Sequence, residues 1–255
     1  MPEVTVVTPN APTWFDLASP DIEASKRFYS QLFGWEAQQQ GGPEMGNYTN
    51  FLLNGKEVAG LVSTMNEGQH PAWSTYIASV DVDETAEKVR SAGGEIAMEP
   101  MDVMEAGRLC VFRDPTGAFL GLWQAGAHKG AAILREPNSF CWFELQTRDV
   151  AAARQFYPKV FGWGVEISPM GPGQPDYTQW MLDGEGIGGA REMQPNIPPQ
   201  VPPHWLVYFR VENVDRFAEL VKQLGGQVLA GPMEYPGGRF AVFADPQGAN
   251  VGILE

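Results

Sequence analysis

The chain has 255 residues, of which 44% are hydrophobic and 19% are charged. This composition supports a folded core and excludes a wholly disordered chain. The formal net charge of −14 excludes the usual nucleic-acid and anionic-membrane binders, since both depend on clustered cations.

The N-terminal segment and the cysteine count indicate the compartment. MPEVTVVTPNAPTW lacks the basic and apolar regions of a signal peptide, and no apolar run approaches the roughly 18 residues that a membrane helix needs. The two cysteines, Cys110 and Cys141, are too few for a disulfide framework or a Cys-based zinc site. We therefore expect a cytoplasmic protein with no membrane and no nucleic-acid partner.

The predicted elements follow one another in the same order four times. A strand-like run precedes a helix-period run, and short strand candidates broken by Gly, Pro and Asn follow it. The four leading strands are predicted at 13–17, 74–80, 141–146 and 205–211. Each helix is predicted between an acidic N-cap and a C-terminal glycine; these pairs are Asp21 and Gly34, Asp81 and Gly94, Asp149 and Gly162, and Glu212 and Gly225.

The four units form two longer repeats. WFDLASPDIEASKRFYSQLFGWE from Trp14 recurs as WFELQTRDVAAARQFYPKVFGWG from Trp142, and GRLCVFRDPTGAFLG from Gly107 recurs as GRFAVFADPQGANVG from Gly238. Such self-similarity is the signature of a duplicated unit. It predicts an N-terminal tail at 1–11, a first domain at 12–125, a linker at 126–137 and a second domain at 138–255.

The chain resembles the vicinal oxygen chelate superfamily, which includes glyoxalases, bleomycin-resistance proteins and extradiol dioxygenases. The features that carry this resemblance are the four βαβββ modules, the FYxxxFGW motif after the first helix and the DPxG motif before the last strand. The resemblance covers nearly the whole chain past residue 11. The WFDL and WFEL openings are most similar to a two-domain actinobacterial branch labelled glyoxalase-like or hydroxylase. The resemblance implies an α+β fold of two tandem domains, each a curved sheet closed around a cup-shaped ligand cavity.

The resemblance also implies a metal site in each domain, with His, Glu or Gln ligands on the first and last strands of each module. Aligned by the helix N-caps and DPxG, these positions fall on Trp14, Thr75, Trp142, Leu206, Gly60, Gly121, Gly189 and Gly252. None of these residues is such a ligand. We therefore expect no cofactor, although a divalent metal at a rearranged site stays open.

The first strands instead offer aromatic and acidic side chains. Trp14 and Asp16 share one strand face, as do Trp142 and Glu144, because side chains alternate with period two. The alignment places Glu144 level with Arg191 as an ion pair, and Asp16 level with Val62 and without a cation. An unpaired buried carboxyl is a candidate acid or base, so Asp16 and Glu144 are the candidate catalytic residues. The alternatives are that the tryptophans fill the cups as core and that the acids lie at a solvated rim.

The candidate ligand-binding residues are those predicted to line the cups. They are Trp14, Trp142, Thr75, Trp123, Arg191, His204 and Tyr208. For His204 the competing interpretation is a strand-entry role beside proline.

Two classes of function remain open. The first is a protein that binds a small, partly aromatic metabolite or drug in a Trp-lined cup, as a monomer or a homodimer. The second is an enzyme, either a metal-free acid–base catalyst at Asp16 or Glu144 or a lyase or dioxygenase with a rearranged metal site. The sequence does not decide whether one cup or both are open.

Overall fold

A computed structural model describes residues 7–171, 173 and 175–255. The first six residues of the predicted N-terminal tail lie outside this range. The described chain is α+β, with sixteen strands and four helices in two eight-stranded sheets.

The first sheet and its helices form domain 1. Its elements are β1 (Pro12–Ser19), α1 (Ile22–Phe33), β2 (Glu36–Gln39), β3 (Thr49–Leu53), β4 (Lys56–Ser63), β5 (Ala72–Ala78), α2 (Val82–Ser91), β6 (Glu95–Val103), β7 (Gly107–Arg113) and β8 (Phe119–Ala125).

The second sheet and its helices form domain 2. Its elements are β9 (Phe140–Thr147), α3 (Val150–Phe161), β10 (Gly164–Ser168), β11 (Tyr177–Leu182), β12 (Glu185–Glu192), β13 (His204–Arg210), α4 (Val214–Gln223), β14 (Gln227–Tyr235), β15 (Gly238–Ala244) and β16 (Asn250–Leu254).

Each sheet joins two βαβββ modules along their first strands. The order in domain 1 is β2-β3-β4-β1-β5-β8-β7-β6, and domain 2 repeats it as β10-β11-β12-β9-β13-β16-β15-β14. The first strand of each module is parallel to the last, whereas the first strands of the two modules are antiparallel. The predicted repeat of four modules in two tandem domains is therefore confirmed.

The helix caps follow the predicted chemistry with two corrections. The side chains of Asp21, Asp81 and Asp149 each accept a hydrogen bond from the backbone N–H three residues on, which satisfies a donor that the helix leaves unpaired. The fourth cap is Asn213 rather than Glu212, because the Asn213 amide oxygen accepts from Arg216 at 2.8 Å. The left-handed residue after α2 is Gly93, with φ 96°, rather than Gly94.

A shared core joins the domains. In domain 1 the strand face that carries Phe15 and Leu17 packs toward domain 2, and Phe15 stacks on Phe140 with ring centroids 3.7 Å apart. α1 lies against α4, and α2 lies against α3. Since this face of each sheet is buried between the domains, the opposite face forms the cup. We call the two cups cup 1, in domain 1, and cup 2, in domain 2.

Tyrosine hydroxyls tie each domain to the other at the DPxG turns. The Tyr157 hydroxyl donates to Asp114 at 2.6 Å, and the Tyr29 hydroxyl donates to Asp245 at 2.9 Å. The other oxygen of each aspartate accepts backbone N–H groups of its own turn. The DPxG motif before the last strand of each domain therefore also fastens the interface.

No described helix combines the length and the apolarity that spanning a membrane requires.

Candidate functional site

Strand register decides which predicted residues face the cups. Asp16 is level with Gly60, and Trp14 is level with Tyr76, which is in turn level with Gly121. The four positions that converge at the floor of cup 1 are therefore one carboxylate, one tyrosine and two glycines. In cup 2 the same positions hold Glu144, Gly189, Tyr208 and Gly252.

This register corrects two predictions from the alignment. Thr75 is level with Phe15 and lies on the core face, so it does not line the cup. Its hydroxyl is buried without a hydrogen-bond partner. Val62 is level with Ala18 rather than with Asp16.

The expected ion pair of Glu144 with Arg191 does not form. Arg191 is level with Gln146, one step further along the same face of the sheet. The guanidinium acts on the Glu144 carboxyl as a nearby charge, while direct hydrogen bonds to that carboxyl come from Gln146 and Tyr208.

The glycines at the floor make room for the protein's own tyrosines. A Cβ at Gly60 would overlap the Tyr48 hydroxyl, and in domain 2 a Cβ at Gly189 would overlap the Tyr177 hydroxyl. A Cβ at Gly121 would overlap the Tyr76 ring, and a Cβ at Gly252 would overlap the Tyr208 ring. Glycine allows such close approach of a flat ring to the backbone, and here the ring belongs to the chain itself.

Cup 1 is closed by its own side chains. Trp14 is 3% exposed, and its indole N–H donates to the Tyr48 hydroxyl at 2.7 Å. His128, from the predicted linker, packs edge-on against Trp14 with ring centroids 4.3 Å apart and contacts Trp123 from the other side. The His128 ring is held at 3.0 Å from the Glu57 carboxylate.

The carboxyl group in cup 1 is in an apolar setting. Burial raises the pKa of Asp16 to about 7, and a hydrogen bond with the Tyr76 hydroxyl offsets only part of this effect. Desolvation of this kind disfavours the charged form. Asp16 is therefore a carboxyl that changes protonation near neutral pH inside a closed cup.

Cup 2 is open and contains a cavity of about 700 Å³. Of the predicted site residues in domain 2, Trp142, Glu144, Arg191 and Tyr208 line it, but His204 does not. The ring nitrogen of His204 instead lies 2.9 Å from the Pro202 carbonyl oxygen, at the entry of β13. Residues that the sequence did not single out complete the wall, among them Met170, Tyr177, Gln179, Glu234, Tyr235 and Phe240.

The polar groups of cup 2 form a connected set. The indole N–H of Trp142 donates to the Tyr177 hydroxyl at 3.0 Å, and the Tyr208 hydroxyl donates to Glu144 at 3.4 Å. Burial raises the pKa of Glu144, opposed by the charge of Arg191 and by hydrogen bonds from tyrosine hydroxyls. This arrangement can donate to and accept from a ligand through hydroxyl and carboxyl groups while an indole ring packs against it.

The donor set does not fit the metal that the resemblance implies. Each cup floor has one carboxylate and no imidazole at the four converging positions. Among the described residues, no group of three His, Cys, Asp or Glu is placed to hold an ion. Divalent metals with open positions in enzymes are usually held by several such N and O donors.

The two thiols are not part of either cup. Cys110 lies in the core, and Cys141 donates to the Tyr208 carbonyl. Burial raises the pKa of both thiols, to about 11 for Cys110 and about 12 for Cys141. Thiols of this kind are poor nucleophiles at neutral pH.

Comparisons with known proteins agree with the fold and the repeat. The family model of the Glyoxalase/Bleomycin resistance protein/Dioxygenase superfamily matches residues 11–122 and again 139–253. The anthracycline biosynthesis protein DnrV of Streptomyces peucetius is 37% identical, with 99% of this chain and 95% of that protein covered. CFP32 of Mycobacterium bovis, named as a glyoxylase, is 39% identical over 100% of this chain and 98% of its own.

Among solved structures, the Mn(II)-bound glyoxalase from Novosphingobium aromaticivorans superposes with a TM-score of 0.69 at 17% identity, covering 97% of this chain and 82% of that one. The 2,3-dioxygenase LapB from Pseudomonas sp. KL28 gives the same TM-score at 14% identity, covering 97% and 93%. Likeness at this level of identity shows a common fold. Together with the family match over both halves, it establishes that the chain belongs to the Glyoxalase/Bleomycin resistance protein/Dioxygenase superfamily.

Proposed function

We propose that the protein binds a small, partly aromatic metabolite or drug in cup 2, without a metal, and that cup 1 serves as a closed scaffold. The observation that carries this proposal is the contrast between the cups. Cup 2 holds a cavity of about 700 Å³ beside Trp142, whereas His128 and Trp123 occupy the same region of cup 1. Ligand sites are commonly cavities of about 300–1,000 Å³ with aromatic walls and a few polar groups.

The relatives support the class of ligand. DnrV is named for anthracycline biosynthesis, and anthracyclines are polycyclic aromatic compounds. A planar ring fits between indole and phenol walls, where offset or edge contacts stabilise it. The carboxyl of Glu144 and the hydroxyls of Tyr177 and Tyr208 would orient such a ring by hydrogen bonds.

The test is a calorimetric titration with 3-hydroxy-2-naphthoate as the probe. Wild-type protein is expected to bind one equivalent. Leu254 lines cup 2 at the position where domain 1 has Trp123, so Leu254→Trp should fill the cavity and abolish binding. Thermal unfolding of the variant checks that it is folded.

The matched control makes the opposite substitution, tryptophan to leucine, at the equivalent position of domain 1. Trp123→Leu leaves cup 2 unchanged and should retain one equivalent of probe with wild-type affinity. Binding that survives Leu254→Trp, or that disappears with Trp123→Leu in a folded protein, would show that cup 2 is not the site.

A second candidate is acid–base catalysis at Glu144. It is favoured by a carboxyl of raised pKa that lies in the open cavity and accepts a hydrogen bond from Tyr208. An enzyme of this kind would exchange a carbon-bound proton of an aromatic ketone with solvent deuterium, and Glu144→Gln would stop the exchange without abolishing probe binding. If NMR shows no hydrogen–deuterium exchange for a panel of such ketones, the catalytic proposal is wrong and binding is the only function that remains.

A further inference from the structure

Arg191 acts on Glu144 as a nearby charge but is not bound to it. Its guanidinium makes no ion pair and no hydrogen bond with any described residue, although it lines the cavity. Other arginines near strand ends are engaged: Arg108 binds Asp83 and Asp102, and Arg239 binds Asp215. A guanidinium carries five N–H donors in a rigid fork that matches a carboxylate or a similar oxyanion. The donors of Arg191 therefore remain available to a ligand.

Arg191 is also the one cation among the described residues that line cup 2. Glu144, on which the charge of Arg191 acts, already accepts hydrogen bonds from Gln146 and Tyr208. Glu234, another acid of the wall, lies 3.6 Å from Arg239. Glu192, the third acid of the wall, is exposed to solvent. None of these three carboxylates forms an ion pair with Arg191.

The closed cup has no such cation. Val62 occupies the matching position on β4, level with Ala18 as Arg191 is level with Gln146. An arginine stands only where the cup is open, and an apolar residue stands where it is filled. A solely structural role at this strand position would not need the charge, since domain 1 builds the same strand pair without it.

We infer that cup 2 selects planar aromatic compounds that carry an anionic oxygen, either a carboxylate or an ionised phenol, and that Arg191 binds this oxygen. The inference rests on the proposed function, since it names the ligand class of the same cavity. The ring would lie beside Trp142 while the oxygen reaches the guanidinium. Charge-assisted hydrogen bonds of this kind are shorter and stronger than those between neutral groups.

The experiment compares three naphthalene probes by calorimetry at constant salt. They are 3-hydroxy-2-naphthoate, its neutral primary amide and 2-naphthol, whose phenol is un-ionised at neutral pH. Wild-type protein should bind the acid about tenfold more tightly than the amide, which is the size of one charge-assisted hydrogen bond. A gain in 2-naphthol affinity as the pH is raised through ionisation of the phenol would show that an ionised phenol also serves.

Arg191→Met keeps an unbranched side chain of similar reach and removes the charge. The variant should lose the preference for the acid, because its affinity for the acid falls more than its affinity for the amide, and Arg191→Lys should restore part of the preference. Arg216→Met, at an exposed position of α4, is the control and should change neither affinity.

The possible failures are distinguishable. If Arg191→Met keeps the full preference for the acid, Arg191 does not bind the anion and the inference is wrong, although the cavity remains the site. If wild type binds acid and amide equally, the site does not select anions. If neither probe binds wild type, the proposed function fails and the inference fails with it.

Discussion

A buried carboxyl at the floor of each cup is hydrogen-bonded by tyrosine hydroxyls. Asp16 is paired with Tyr76, and Glu144 with Tyr208. A phenol hydroxyl donates one hydrogen bond but carries no positive charge that would stabilise the ionised carboxylate. Burial therefore controls the protonation of the carboxyl. The floor of each cup therefore holds a carboxyl group whose pKa is raised.

This arrangement predicts a pH-dependent stability that Asp16 controls. Its pKa is about 7 in the folded chain, against the ordinary value of 3.8 for an aspartate, so the folded state holds the proton more tightly than the unfolded state. The contribution of Asp16 to stability is then present below pH 3.8 and is lost as the pH rises through about 7. Asp16→Asn should be increasingly more stable than wild type across this range, by up to about 4 kcal/mol in the free energy of unfolding.

Urea denaturation at pH 4, 6 and 8 measures this difference. Asp176→Asn, at an exposed position, is the control and should follow wild type at every pH. A difference between Asp16→Asn and wild type that does not change with pH would contradict the raised pKa.

The tyrosine above each glycine predicts a second effect. Gly60→Ala places a methyl group against the Tyr48 hydroxyl, which the Trp14 indole holds in place. Overpacking of this kind costs about 1–3 kcal/mol of stability. The variant Tyr48→Phe removes the nearest atom, so Gly60→Ala should cost less in that background.

A double-mutant cycle by urea denaturation measures the coupling between the two positions. Gly164→Ala on the exposed strand β10 is the control, since its new methyl group meets nothing closer than the Met181 Cβ at 3.2 Å. Equal costs of Gly60→Ala with and without the Tyr48 hydroxyl would show that the contact does not determine the need for glycine.

At the scale of the elements, sequence pattern predicted the order and type of secondary structure better than the register. Polar caps and alternating strands are local signals, and three of the four predicted N-caps are confirmed. Register depends on which strands pair and where bulges fall, and β1 shifts its pairing to β5 between Pro12 and Trp14. A shift of one residue turns a side chain to the other face, which is why Thr75 was wrongly assigned to the cup.

The DPxG turns give a prediction about the interface of the domains. Tyr157→Phe removes the hydroxyl that donates to Asp114 and accepts from the Trp205 indole. It leaves two buried polar groups short of a partner, which should lower the free energy of unfolding by about 1–3 kcal/mol.

Urea denaturation is the measurement, and Tyr29→Phe should behave alike because the Tyr29 hydroxyl donates to Asp245 in the same way. Tyr235→Phe is the control, since Tyr235 is 36% exposed. If Tyr157→Phe matched this control, the hydrogen bond across the domains would have no net effect on stability.

On the scale of the whole molecule, the internal repeat predicted two cups but not the difference between them. The repeat aligns Trp14 with Trp142 and Asp16 with Glu144, so both cups have an aromatic and acidic floor. Closure of cup 1 depends on His128, a linker residue outside both repeats, which reaches the cup by packing against Trp14. Three-dimensional proximity of this kind leaves no periodic signal in the sequence.

The contrast between the cups also distinguishes structural from functional positions. Trp123 fills cup 1 where Leu254 leaves cup 2 open, and Val62 is replaced by Arg191 in the cup with a cavity. One domain has thus kept the residues that fill its cup, while the other presents a guanidinium, a carboxyl group and two tyrosines to an open space. On the proposed function, the ligand binds in domain 2.

The location of the ligand can be checked by a crystal structure of the protein soaked with 3-hydroxy-2-naphthoate. We expect density for one naphthalene ring in cup 2, beside Trp142 and with its carboxylate at Arg191, while His128 remains packed on Trp14 in cup 1. Density in cup 1 after displacement of His128, with cup 2 containing only solvent, would contradict this location.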